Sequence, residues 1–345
     1  MTAPVARAAV PIAEVVRGGV VESVHLGHVV ALADDGSVAG ALGDAGAEIF
    51  ARSSLKPLQA VAMVRAGLDL EPELLALASS SHNGERIHVH GARRILAGAG
   101  LDESALQNTP DYPLNDDAAL ELRCAGTKKA PIYQNCSGKH SAMLATCAAA
   151  GWSVDDYRAP EHPLQLLIRS VVEELTGEHV QHTTVDGCGA PLFSCTVRGL
   201  ARAFAAIATA PPGTAEHRVA EAIRHNPQFL GGIGRDVTQL VGGIPGFIAK
   251  DGAEGVYAGA MPDGRSVALK VLDGSQRPRP VVMAVALRYL GVEAEVLDDV
   301  SRVPVLGHGE PVGEVRAVAL ERPAGAGDHS VAGEGSGSCV PSSRE

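Results

Sequence analysis

A hydroxyl and an amine that could act on a carbonyl group stand three residues apart in the stretch 52–59, Arg-Ser-Ser-Leu-Lys-Pro-Leu-Gln. Apolar residues at helical spacing predict a helix here, with Pro57 in its first turn and Gly67 at its end. Ser53 and Lys56 then share one helix face. Serine becomes a nucleophile when a base takes its proton, and a lysine can be that base where burial or nearby positive charge lowers its pKa. Because solvated helices also carry Ser-x-x-Lys by chance, the pattern alone does not establish an active site.

A second polar stretch, Ser79-Ser80-Ser81-His82-Asn83-Gly84-Glu85, follows a short predicted helix. Ser81 could relay a proton there, and Asn83 could bind a substrate. An ordinary turn built on the asparagine side chain explains the same composition. The run of three serines leaves open which hydroxyl acts, and we choose Ser81 because it is adjacent to His82.

Two cysteines in glycine-flanked loops, Cys136 and Cys188, could be soft ligands for zinc. A usual zinc site has four ligands, so His140, Asp186 or a neutral Lys139 would have to complete the set. The alternative is that both cysteines are buried as small hydrophobic residues. The sequence alone leaves both possibilities open.

Two further charged residues lie in settings that could serve binding. Asp186 stands beside Gly187 and Gly189, where a carboxylate can hold the ammonium group of a small ligand or simply form the turn. Lys270 lies in a predicted strand, on the face that it shares with Ala268 and Leu272. A lysine there either extends to water or lies in a cleft.

The hydrophobic pattern predicts strands at both ends of the chain and helices between them. Strands are predicted over 13–43 and again after 242, with a hairpin over 255–272 and a last strand over 312–320. Helices are predicted at 71–78, 85–97, 141–150, 164–175, 200–208, 215–225 and 281–290. The economical arrangement is an α+β fold, in which one mainly antiparallel sheet from both termini is covered by the helical middle. We predict a single domain over residues 1–322 and a disordered tail over 323–345.

Composition excludes several classes of function. The 345 residues carry a net charge of −11 and only 3% aromatic residues, so neither nucleic acid nor an anionic membrane is expected as a partner. No apolar run approaches the roughly 18 residues of a membrane span. The N-terminus lacks a secretory pattern, and the six cysteines show no paired framework, so we predict a cytoplasmic protein with reduced thiols.

Five segments, taken in order, resemble the asparaginase II family, the Rhizobium etli-type L-asparaginases. The likeness covers about residues 13–320, and five motifs in register are far more specific than any one of them. One departure is that Ser80 and Asn83 stand where family members often carry Ala and Ser. The segments are 52–59, Ser81-His82-Asn83-Gly84-Glu85, Asn135-Cys136-Ser137-Gly138-Lys139-His140, Asp186-Gly187-Cys188-Gly189-Ala190-Pro191, and Lys250–Tyr257 with Ala268–Ser275.

The resemblance implies a fold similar to serine β-lactamases and hydrolysis of L-asparagine to L-aspartate and ammonia by a homodimer. It implies two Ser–Lys pairs, Ser53 with Lys56 and Ser81 with Lys270. It further implies a zinc site, which catalysis need not require, and a pocket acid at Asp186. The implied zinc ligands are Cys136, Lys139 and Cys188.

Our mechanistic hypothesis at this point is that Lys56, kept neutral by nearby Lys270, takes the proton of Ser53, which attacks the side-chain amide. Ser81 relays a proton to the leaving ammonia, although the roles of the two serines could be reversed. For substrate binding we assign Asp186 or the zinc region to the ammonium group and Arg52 to the α-carboxylate. His82 and Asn83 complete the predicted binding residues.

Two alternatives remain open at the sequence level. One is another β-lactamase-like acyl-serine amidohydrolase, although a Lys-Thr-Gly strand motif was not found in the sequence. The other is a non-catalytic protein that binds zinc or an amino acid.

Overall fold

The computed structural model describes residues 3–320, which form eleven strands and twelve α-helices. The strands are β1 (Val10–Arg17), β2 (Val20–Leu32), β3 (Val38–Leu42), β4 (Glu48–Phe50), β5 (Thr183–Val185), β6 (Pro191–Thr196), β7 (Ile248–Gly252), β8 (Val256–Ala260), β9 (Ser266–Val271), β10 (Val303–Gly307) and β11 (Glu310–Ala317). The helices are α1 (Lys56–Arg65), α2 (Pro72–Ala78), α3 (Arg86–Gly98), α4 (Asp116–Cys124), α5 (Ser137–Ala150), α6 (Pro163–Thr176), α7 (Val197–Ala208), α8 (Ala215–His225), α9 (Pro227–Leu230), α10 (Asp236–Gly243), α11 (Arg279–Tyr289) and α12 (Val296–Val300).

The main sheet is antiparallel and takes its strands from the two ends of the chain. Its order is β10-β11-β1-β2-β9-β8-β7, and β3 pairs with β2 beyond the part that pairs with β1. The smaller sheet has the order β4-β6-β5. The prediction of one sheet from both termini, with a helical middle, is confirmed.

Helices cover the central strands on both faces. Helix α7 packs on β2, β8 and β9, and α11 packs on β9 and β11. Every residue of β8 is buried, which requires that both faces of the strand be covered. The apolar residues of this strand therefore form a continuous run instead of alternating with polar ones.

The start of α1 is fastened to the edge strand β7. A 3-10 turn, Arg52–Leu55, leads directly into α1, so Ser53 lies at the helix start as predicted. Ser54 Oγ donates a hydrogen bond of 2.9 Å to the carbonyl of Lys250 on β7. A Cβ at Gly252 would lie 2.7 Å from the carbonyl oxygen of Ala51, so the close approach of turn and strand requires glycine. This contact brings a second lysine-bearing segment to the Ser53 turn.

Most predicted elements are present, and several short ones were missed. The sequence patterns did not predict α4, α9, α10, α12, β4, β6 or β10. The predicted domain end at 322 and the predicted tail, 323–345, lie outside the described residues. Within residues 3–320, no helix is both long and apolar enough to cross a membrane.

Candidate active site

The Lys56 amine lies at the centre of a buried polar cluster and contacts Ser81. Its side chain is 1% exposed, and Nζ lies 3.0 Å from Ser81 Oγ and 2.5 Å from the carbonyl oxygen of Ser80. Nζ also lies 3.1 Å from Cys136 Sγ. The amine predicted to serve Ser53 is therefore hydrogen-bonded to Ser81, the hydroxyl that we had paired with Lys270.

Ser53 is buried beside this cluster, and its hydroxyl has no hydrogen-bond partner among residues 3–320. The backbone N–H of Lys56 donates to the Ser53 carbonyl, which places the two residues one 3-10 turn apart. Arg52, immediately before Ser53, has a φ of 52°, a left-handed conformation that is uncommon for a residue other than glycine. Such backbone strain is concentrated at functional sites. The turn thus presents a hydroxyl that is not engaged by the protein.

Lys250 is a second buried amine of this cluster, and the sequence analysis gave it no role. Its side chain is fully buried, and Nζ lies 2.5 Å from Asp251 Oδ1 and 2.6 Å from the Asp251 carbonyl oxygen. Burial lowers the pKa of Lys250 to about 8, which Asp251 opposes and the charge of Lys56 reinforces. Lys250-Asp251-Gly252 differs from the sought Lys-Thr-Gly only in its middle residue, and this is the signal that could have identified Lys250.

Within residues 3–320, the amine hydrogen-bonded to Ser81 is that of Lys56, and the predicted pairing of Lys270 with Ser81 is not seen. Lys270 Nζ donates instead to the backbone carbonyl of Glu254, and burial lowers the pKa of the amine. The side chain lines a cavity of about 780 Å³ that Arg52, Glu254 and Phe50 also line. Lys270 is thus placed in a cleft, one of the two alternatives for it, but Lys56 provides the amine at Ser81.

The pKa of Lys250 predicts a distinct pH dependence of stability. Between about pH 8 and pH 10.5 the unfolded chain holds a proton on Lys250 that the folded chain has lost, so this residue makes the free energy of unfolding rise with pH across that window. The full rise is up to about 3 kcal/mol. Urea unfolding of wild type and Lys250→Met at pH 7.5 and pH 10 should show the variant losing this rise. Parallel pH dependences of the two proteins would contradict the assignment.

Arg52 and Asp186, predicted to bind opposite ends of the substrate, form an ion pair with each other. Arg52 Nε lies 2.7 Å from Asp186 Oδ1, and Arg52 Nη1 lies 3.8 Å from a carboxylate oxygen of Glu254. The pair ties the Ser53 turn to the glycine-rich turn that carries Cys188. Asp186 therefore already has a cationic partner, and an incoming ammonium group would share the carboxylate with Arg52.

His82 and Asn83, predicted to bind substrate, are occupied by contacts within the protein. His82 Nδ1 accepts from the Gly84 N–H at 3.0 Å, so its proton is on Nε2, which donates to Ser137 Oγ at 3.0 Å. Burial, with the neighbouring positive charges, lowers the pKa of His82 well below its ordinary value, so the ring is neutral. The Asn83 amide donates to a carboxylate oxygen of Glu85 at 3.0 Å. Both residues thus make hydrogen bonds that hold the Ser81 loop in place.

The predicted metal ligands are brought together. Cys136 and Cys188 are buried together in a small cluster with Ala190, and Lys139 Nζ lies 3.2 Å from Cys188 Sγ. The neighbouring Cys136 thiol and the charge of Lys139 lower the pKa of Cys188. The same contact and burial raise the pKa of Cys136. His140 Nε2 is buried without a hydrogen-bond partner, and burial lowers the pKa of this ring to about 4.

This donor set fits a soft divalent metal. Two thiols and an amine converge, and the unpartnered nitrogen of His140 shows that the cluster's polar groups are not all satisfied within the chain. Within residues 3–320, no group of three or more His, Cys, Asp and Glu side chains is arranged to hold a metal ion. A metal here would thus depend on Lys139, as the resemblance implied.

A comparison with known protein families shows the family of this chain. The family model described as L-asparaginase II matches residues 13–317. The chain belongs to the L-asparaginase II family. Membership confirms the resemblance drawn from the five motifs, and it places this asparaginase II protein among amidohydrolases of the asparaginase type, which act on small-molecule substrates. No curated protein sequence matches the chain.

Solved structures similar to this asparaginase II protein include β-lactamases. One is a β-lactamase from Mycobacterium bovis, with a TM-score of 0.40 and 19% identity over 76% of this chain and 95% of that chain. Another is a protein from Bacteroides dorei described as a β-lactamase, with a TM-score of 0.43 and 15% identity over 77% of this chain and 93% of that chain.

Proposed function

We propose that this protein is an L-asparaginase in which Ser53 is the nucleophile, Lys56 the general base and Ser81 a proton relay. The observation that carries the assignment is the state of the two hydroxyls. Ser81 Oγ is held 3.0 Å from the Lys56 amine, whereas Ser53 Oγ has no partner among residues 3–320. The unengaged hydroxyl is free to meet a substrate carbonyl, and the engaged one can pass protons to and from the amine.

The first half-reaction forms an ester. Ser53 Oγ attacks the side-chain carbonyl carbon of L-asparagine while Lys56 Nζ takes the hydroxyl proton. When the tetrahedral intermediate collapses, the C–N bond breaks and Ser81 gives its proton to the leaving nitrogen, which departs as ammonia. Lys56 then returns its proton to Ser81. The product is a β-aspartyl ester on Ser53.

The second half-reaction consumes water. Lys56 Nζ removes a proton from water, the hydroxide attacks the ester carbonyl, and the proton returns to Ser53 Oγ as L-aspartate leaves. Lys250 is fully buried, burial lowers its pKa to about 8, and in our proposal it contributes positive charge to the site near neutral pH. In our proposal it takes the role that the sequence analysis gave to Lys270.

An assay of ammonia release from L-asparagine and L-glutamine tests the proposal directly. We expect turnover of L-asparagine, with L-aspartate as the second product. A chromogenic β-lactam assay on the same preparation tests the alternative acyl-serine amidohydrolase. Ligand or zinc binding without ammonia release would indicate the non-catalytic alternative and end the asparaginase proposal.

We also propose that Cys136, Cys188 and Lys139 bind zinc, which when bound would supply a Lewis acid beside the substrate. The pKa of Lys139 is raised, because the two thiols outweigh the lowering effect of burial. The pKa of Cys136 is raised as well, so both groups hold a proton near neutral pH. Zinc must displace both protons, so its affinity should increase by roughly tenfold or more per pH unit near neutrality. Calorimetric zinc titrations at pH 6, 7 and 8 measure this. An affinity that is independent of pH, or unchanged in Cys188→Ser, would contradict the site.

A homodimer and a cytoplasmic location complete the proposal. The dimer rests on the family resemblance, and analytical ultracentrifugation measures it. The location is supported by the five cysteines within residues 3–320, all of which are free thiols.

A further inference from the structure

The Arg235 side chain joins the two segments that carry Ser81 and Lys250. It lies immediately before α10, and its Nη1 donates to the Ser81 carbonyl at 3.2 Å and to Asn83 Oδ1 at 3.3 Å. Nη2 lies 2.5 Å from Asp251 Oδ2. One guanidinium group therefore holds the Ser81 loop on one side and the carboxylate beside Lys250 on the other.

The loop that carries Arg235 is fastened to the Ser81 loop by further contacts. Asn83 Nδ2 donates to the Ile233 carbonyl at 3.0 Å, and the Ile233 N–H donates to a carboxylate oxygen of Glu85 at 2.9 Å. Gly232 has a φ of 118°, and a Cβ there would lie 2.7 Å from Asn83 Nδ2. The two loops are thus packed so closely that Arg235 has little freedom to reorient.

Positively charged side chains contact both carboxylate oxygens of Asp251. Lys250 Nζ lies 2.5 Å from Oδ1, and Arg279 Nη1 lies 3.7 Å from the oxygen that Arg235 contacts. Although burial raises it, the pKa of Asp251 is lowered overall by Lys250 and Arg235. The pKa of Arg235 is raised by Asp251. The ion pair therefore persists across the pH range in which the enzyme would work.

We propose that Arg235 and Asp251 are positioning residues for the asparaginase reaction, which together fix the Ser81 hydroxyl relative to the Lys250 amine. Ser81 and Lys250 belong to segments far apart in the sequence, so their relative position depends on such a contact. Arg235 binds a backbone carbonyl, a side-chain amide and a carboxylate, none of which reacts. The inference rests on the proposed function.

Arg235→Ala tests it. We expect kcat for L-asparagine to fall by about 100-fold, the loss typical of a misplaced catalytic group. KM should stay within about threefold, because Arg235 is bonded to protein groups and is not one of the proposed substrate-binding residues. Guanidinium ion added at millimolar concentration should restore part of the lost kcat. Arg235→Gln keeps an amide donor for the Ser81 carbonyl and should lose less, and it serves as the test if the alanine variant does not fold.

Arg224→Ala is the matched control. Arg224 also bridges backbone carbonyls, those of Gly246 at 2.7 Å and Ala208 at 2.8 Å, away from the proposed site. It should retain kcat at equal folded fraction. If Arg235→Ala loses no more kcat than this control, or if its loss is confined to KM, the positioning role is wrong. If wild type itself releases no ammonia, the proposed function fails instead.

Discussion

Ser53→Ala should lower kcat for L-asparagine hydrolysis by at least about 10⁴-fold, because the variant has no group that can form the ester. Stability should hardly change. Ser53 Oγ has no hydrogen-bond partner among residues 3–320, so removing it leaves no unsatisfied buried group. Initial rates of ammonia release, with urea unfolding of the same preparation, measure the two quantities. An inactive but normally stable variant is the expected result.

Ser54→Ala is the neighbouring control. Ser54 is fully buried and donates to the Lys250 carbonyl, so its loss should cost about 1 kcal/mol of stability while activity at equal folded fraction is largely kept. Ser53→Ala should therefore lose activity and keep its stability, whereas Ser54→Ala should lose stability and keep its activity.

Covalent labelling distinguishes the two serines. An asparagine analogue with a diazoketone in place of the amide should attach to Ser53 and be located there by mass spectrometry. If the label is found on Ser81, and Ser53→Ala keeps substantial activity, the roles of the two serines are reversed. In that case the contact of Ser81 with Lys56 would mark the nucleophile itself.

Local spacing predicted the parts of the site that lie within one turn of chain. Ser53 and Lys56 are three residues apart, so a helix start was enough to place both residues in one turn of chain, joined by a backbone hydrogen bond. The sheet from both termini was also predictable, because runs of β-branched residues at the two ends have only each other to pair with. The contact between Lys56 and Ser81 was not predictable, since periodicity carries no information about which loop a lysine meets.

The two strand lysines show why topology was needed. Lys250 and Lys270 both lie among apolar residues of predicted strand character, and the sequence analysis chose Lys270. In the sheet, β9 lies between β2 and β8, and Lys270 is paired with His28 and Val256 on either side. Strand β7 is at the sheet edge, where the Ser53 turn packs on it. Whether a strand lies at the edge or in the centre of a sheet depends on which distant strands pair with it. The local alternation of apolar and polar residues does not contain that information.

The prediction of substrate-binding residues lacked the same long-range information. Asp186 and Arg52 each have the charge expected of a group that binds one end of an amino acid. Only the folded chain shows that they neutralise each other at 2.7 Å. His82 and Asn83 were chosen for residue type, and their polar atoms are used to build the Ser81 loop.

Lys250→Met should lower kcat by about 10³-fold, whereas Lys270→Met should keep most of the activity. Methionine has nearly the volume of lysine, so each variant removes a charge with little change in packing, and Lys250→Met also removes the contact with Asp251. Lys250 is fully buried on the strand that packs against the Ser53 turn, and the variant loses the positive charge that we propose acts in proton transfer. Lys270 Nζ contacts the Glu254 carbonyl at the wall of a cavity, and its loss affects neither serine directly.

Steady-state kinetics of the two variants, each corrected for folded fraction, decide between the lysines. If Lys270→Met is the inactive one, the pairing inferred from sequence would be right, and the hydrogen bond from Lys56 to Ser81 would be a structural contact without a part in proton transfer.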